Sequence, residues 1–217
     1  MTPVFILALV TSVPTASICG GVPQPADSSW SGADLETMYN GGRTYLEFRD
    51  AAERRVDAWH THYAQAEISD ATRTRAQVIP GTWRLLVIAE DWCGDSANTI
   101  PYIAKLTDVV PNIELRIINS EVGRSIMETH RTMDGRTATP TVILLNEEYA
   151  ESGCWVERPS TLDAWFQANK DVLAEDDLYD QKYAWYAKDK GQETVKEILS
   201  IIESAARGET TCRAQTR

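Results

Sequence analysis

One short stretch concentrates the residue types that do covalent chemistry. In "LLVIAEDWCGDSANTIP" (85–101) an apolar run gives way to Trp92, Cys93, Gly94 and Asp95, with Ser96 three places after the cysteine. A strand ending near Ala89, a turn through "EDW" and a helix starting near Cys93 or Gly94 would set the thiol over the positive end of that helix. Unpaired backbone N–H groups there stabilise an anion. The thiolate, the nucleophilic form of cysteine, is therefore favoured. Gly94 would let the backbone turn tightly beside the sulfur, and Ser96 places on the same helical face a hydroxyl able to donate to it. Asp91 and Asp95 pull the other way, since nearby carboxylates oppose a second negative charge. Asp95 itself has two readings: proton acceptor for an incoming thiol, or an acid that simply favours the helix dipole. For Cys93 the plain alternative is an inert thiol.

The other reactive side chains are scattered. Cys19, Cys93, Cys154 and Cys212 form no CxxC pair and no metal-ligand spacing, so no metal and no cofactor are expected. His60 and His62 have no Cys or acid at ligand spacing and read as surface or cap residues. Cys154 is the one candidate for a resolving thiol, against the reading of a small buried strand residue. Trp155 and Arg158 are candidates to line a substrate groove, against core packing and a surface ion pair. Cys212, in the polar tail "RGETTCRAQTR", is expected to have no role.

The elements that must position these residues follow from patterning. Apolar residues at Tyr45, Phe48, Ala52, Val56 and Trp59 make one stripe at helical spacing within a helical segment from Leu35 to about Ala64. "WRLLVIAE" (83–90) reads as a buried strand, 98–110 as a helix, 113–119 as a strand and 122–131 as a helix. "PTVILLN" (140–146) and "YAESGCWVE" (149–157) read as two strands joined by a tight turn. Residues 160–173 read as a helix with a capping box at Ser160 and Asp163. A last helix, 193–204, presents Val195, Ile198, Leu199 and Ile202 for docking. The order is β-α-β-α-β-β-α, expected as parallel strands joined by helices and then an antiparallel hairpin.

The strand leading into Trp92, Cys93 and Gly94, Pro101 in the following helix, and "ATPTVILLN" with Thr139, Pro140 and Thr141 together resemble the thioredoxin superfamily. "EDWCGDS", "GRTATPT", "WVERP" and "YAWYAKDKG" are similar to a bacterial branch with WCGD in place of WCGPC. The resemblance covers about residues 43–202. It implies an α/β thioredoxin-like fold with an N-terminal helical extension and an additional C-terminal helix. It also implies a cis bond before Pro140, beside Cys93, with the Thr139 backbone open to an extended substrate. Ser96 stands where thioredoxins carry their second cysteine, and Asp95 replaces their proline. A dithiol cycle uses that second thiol to release the mixed disulfide. The expectation is therefore monothiol exchange through Cys93, resolved by a low-molecular-weight thiol or protein thiols. A non-catalytic binding or adaptor module is the alternative, and a peroxide-sensing thiol a third reading.

The 217 residues suit one domain with extensions. With 21 basic against 32 acidic residues the net charge is −11, which disfavours nucleic acid and anionic lipid as partners. Residues 1–33 read as an atypical export signal and linker, 34–207 as the domain and 208–217 as a disordered tail. Export to the periplasm or outside is expected from the apolar run Val4 to Val10, although no basic residue precedes it; "ASIC" hints at lipidation of Cys19. Retention in the cytoplasm, with a disordered leader or a misassigned start, is the alternative. No later run approaches the roughly 20 apolar residues of a membrane span.

Overall fold

The computed structural model describes residues 30–212. The expected export segment, Cys19 and most of the linker lie outside the described residues. Three short helices come first among the described residues: α1 (Gly32–Gly41), α2 (Tyr45–Asp50) and α3 (Val56–Gln65). Capping boxes at Ser31/Asp34 and Thr44/Glu47 start the first two. The stripe read as one continuous face is thus divided between α2 and α3, because Arg55 takes a left-handed backbone conformation that breaks the helix. Tyr45, Phe48 and Trp59 are buried as expected, whereas Val56 is exposed.

After α4 (Asp70–Gln77) come β1 (Trp83–Ile88), α5 (Gly94–Val109), β2 (Ile113–Ile118), α6 (Arg124–Thr129), β3 (Thr141–Leu145) and β4 (Glu151–Val156). Then follow α7 (Ser160–Asn169), α8 (Glu175–Asp189), α9 (Gln192–Ala206) and β5 (Thr211–Cys212). The sheet order is β2-β1-β3-β4-β5. Strands β1 and β2 are parallel, but β3 runs antiparallel to β1 despite the helix before it. Six-residue α6 spans only about 9 Å. It does not carry the chain back along the sheet, so β3 enters at the end where β1 and β2 finish. Ile88 therefore pairs with Thr141, and this register brings the start of β3 to the turn that holds Cys93.

Alternation along the strands divides the core in two. Leu85, Val87, Leu115, Ile117, Val142, Leu144 and Trp155 face α2, α3, α5 and α9, while Leu86, Ile88, Ile143, Leu145 and Val156 join Leu35, Tyr39, Ile126 and Met127 on the other side. Helix α9 docks through Val195, Ile198, Leu199 and Ile202, all buried.

Two expectations change at the far edge. Thr211 and Cys212, read as disordered tail, add a short strand parallel to β4, and Cys212 forms a disulfide with its register partner Cys154. The backbone pairing, the covalent bond and the burial of Cys212 beside Cys154 hold this segment. The capping box at Ser160 and Asp163 is absent: Pro159 is the N-cap, and the Ser160 N–H and hydroxyl both donate to Glu197 Oε1.

Candidate active site

Cys93 is the N-cap of α5. The Ser96 N–H donates to its Sγ at 3.4 Å, and the thiol donates to the Thr139 carbonyl at 3.1 Å. The Thr139–Pro140 peptide bond is cis. Strand β1 delivers Cys93 to this corner and β3 delivers Thr139 and Pro140. The sulfur-bearing residue is 8% exposed, whereas its neighbour Trp92 is 56% exposed and rims the site. Ser96 is wholly buried, and it approaches the sulfur through its backbone N–H; its hydroxyl has no partner. The donation expected from the side chain comes instead from the helix backbone, because the N-cap geometry aims the N–H three residues on at the capping atom.

Both acids near the cysteine make hydrogen bonds that tie other segments to the site. Asp91 Oδ2 accepts the N–H groups of Glu53 and Arg54 at 2.8 and 3.0 Å, tying the loop before α3 to the active turn. The Trp59 indole N–H adds a bond to the Asp91 carbonyl at 3.0 Å. Asp95 is buried. Its Oδ1 accepts from the Tyr186 hydroxyl at 2.7 Å, and its Oδ2 faces Lys182 Nζ at 3.2 Å and Arg158 Nη2 at 3.5 Å. Both oxygens are committed, so the reading of Asp95 as a proton acceptor gives way to that of an anchor for α8. Burial drives the Tyr186 phenol well above its ordinary pKa, and the Asp95 charge reinforces this. Tyr186 thus stays a donor.

The same helix brings Tyr183 over the start of α5. A Cβ on Gly94 would overlap the Tyr183 hydroxyl. Gly94 is helical and does not have a positive φ, so it is needed for this close approach and not for the turn expected of it. Arg55 joins the two segments, donating from Nε to the Trp92 carbonyl at 2.7 Å and from Nη2 to the Tyr183 hydroxyl at 3.4 Å. Burial raises the Tyr183 pKa; Arg55 opposes this, while Asp95 and an ionised Cys93 add to it.

Three sequence candidates lie elsewhere. Trp155 is fully buried and donates to Glu197 Oε2 at 2.8 Å, so it belongs to the core and not to a groove. Arg158 is buried in an ion-pair cluster with Asp95 and Glu157 instead of sitting on the surface. Cys154 is held in its disulfide, which removes it as a resolving thiol, and Cys93 is the free cysteine among the described residues. Sequence reasoning passed over Lys182 and quoted Tyr183 and Tyr186 only within "YAWYAKDKG", without giving them a role. Their signal was the recurrence of Tyr179, Lys182, Tyr183 and Tyr186 at helical spacing.

A family model described as thioredoxin matches residues 42–172, more than half of the chain. The chain belongs to the thioredoxin family. The match takes in Cys93, Ser96, Thr139 and Pro140 but ends before α8, so the helix that covers the cysteine is an addition to the matched region. Among solved structures, a protein of unknown function from Pseudomonas aeruginosa is 26% identical, with a TM-score of 0.62 over 77% of this chain and 96% of that one. An HIV epitope-scaffold is 23% identical, with a TM-score of 0.61 over 78% and 97%, and shares the fold. No curated protein matches the chain significantly. No helix among the described residues is long and apolar enough to cross a membrane.

Proposed function

We propose that this thioredoxin-family protein carries out monothiol thiol–disulfide exchange through Cys93. The observation that carries the reading is the placement of Sγ between the Ser96 N–H and the carbonyl that precedes Pro140. The Cys93 thiolate attacks one sulfur of a disulfide, a mixed disulfide forms, and the other sulfur leaves as a thiolate. An external low-molecular-weight thiol or protein thiol then attacks the adduct, freeing Cys93 and carrying away the bound half. Trp92, Gly94, Ser96, Thr139 and Pro140 shape the site, and Asp95 positions α8 above it. The Cys154–Cys212 bond fits export to an oxidising compartment, periplasmic or extracellular.

The test is trapping. With no thiol at Ser96 to release them, Cys93 should retain client proteins as mixed disulfides in a thiol-blocked extract, and Cys93→Ala should retain none, both proteins carrying Cys19→Ser so that Cys93 is the thiol tested. Identical retention by the two proteins would refute the exchange reading. The low exposure of Cys93 beneath Tyr183 favours a second reading, a thioredoxin-fold binding or adaptor module without turnover. Equal recovery of a client by wild type and Cys93→Ala under reducing conditions would support it.

A further inference from the structure

The charge cluster around Asp95 holds more donors than its own acceptors use. Arg158 is 5% exposed, and its Nη2 faces Asp95 and Glu157, yet Nε and both N–H groups of Nη1 are buried with no hydrogen-bond partner. Buried polar groups are as a rule hydrogen-bonded, so these donors call for a partner. Such an arrangement points to something that binds there. Arg158 lines a cavity of about 370 Å³ in which Arg136, Lys170 and Lys182 meet Asp95, Asp134 and Glu157. Four cations thus stand against three carboxylates, a local excess of one positive charge in a chain of net charge −11.

The carboxylates are all engaged. Asp95 holds Tyr186 and Lys182, Glu157 meets Arg136 and Arg158, and Asp134 accepts from Arg136 Nε at 2.9 Å with Lys170 at 3.5 Å. The Arg158 guanidinium carbon lies 4.2 Å above the Phe166 ring, which fixes the plane of the fork before any ligand arrives. Lys170 and Arg136 are the more exposed members and form the entrance.

We propose that this cavity is a binding site for a small oxyanion, a carboxylate or a phosphate. Planar guanidinium donors and converging ammonium groups suit both, and the volume suits a small ligand. Cys93 is not among the lining residues, so the site stands whether or not the thiol turns over.

Isothermal titration calorimetry on the full chain, in chloride buffer at fixed ionic strength, tests it with inorganic phosphate and, separately, with succinate. Saturable binding of one anion per chain is expected. Lys170→Gln, which alters only the entrance, should weaken that binding at least threefold, and Lys196→Gln on α9 should leave it unchanged. Binding of phosphate alone would identify a phosphoryl ligand, and of succinate alone a carboxylate. Absence of saturable heat with both anions, or an unchanged affinity in Lys170→Gln, would overturn the proposal.

Discussion

Cys93 announces itself through its neighbours, since an apolar strand that breaks at Trp92 and Cys93 before a helical stretch sets the thiol at a helix start. Gly94 and Asp95 do not, because their meaning depends on Tyr183, Lys182 and Tyr186, nearly ninety residues away. Two substitutions separate these roles. Gly94→Ala forces a Cβ into the Tyr183 hydroxyl, and overpacking of this kind costs about 1–3 kcal/mol. The variant should melt earlier and expose Cys93 to faster alkylation, and Tyr183→Phe in the same chain should restore part of both. Asp95→Asn strips the counter-charge from Lys182 and Arg158. Breaking a buried pair in this way costs about 3–5 kcal/mol, so urea unfolding should show a loss of that size. Unchanged stability would return Asp95 to a purely chemical role.

At the scale of elements, apolar runs made β1 and β3 legible, shorter mixed stretches β2 and β4, and a strongly sided face α9 as well. Helices α4 and α8 were hidden because their faces carry charge and tyrosine instead of aliphatic periodicity. The direction of β3 was hidden because six residues of helix look the same whether the chain crosses the sheet or turns back on it. Strand β5 is two residues long and depends on a partner strand and on Cys154. The disulfide spans 58 residues, and closing a loop of that length restricts the unfolded chain by roughly 4 kcal/mol in the entropic treatment. Cys212→Ser should therefore lower the melting temperature by roughly 5–15 °C. Mild reduction of the wild type should do the same, and a melting curve indifferent to both would show that the edge strand contributes nothing to stability.

Among the described residues, a buried histidine forms a pH-dependent tie that patterning gives no hint of. Buried His130 binds Glu151 Oε1 through Nε2 at 2.7 Å and the Ile126 carbonyl through Nδ1 at 2.9 Å. Burial alone would lower its pKa; the hydrogen bond and charge of Glu151, with the Ile126 carbonyl, more than reverse this and raise it above the ordinary value of 6.5. A raised histidine stabilises the fold fully below the unfolded value, and that contribution is lost as pH rises through the folded one. The stability advantage of wild type over His130→Gln should therefore be largest near pH 6 and shrink above it. An advantage that grows with pH would reverse the assignment.

The thiol is set beneath α8, and its reactivity there is read most directly by intact-mass analysis of the native chain treated with bis(2-hydroxyethyl) disulfide. With Cys19 replaced by serine, an adduct should form at Cys93, disappear with excess thiol and be missing when Cys93→Ser is added. A native protein that stays unmodified while its urea-unfolded form takes up the label at Cys93 would contradict exchange at this site.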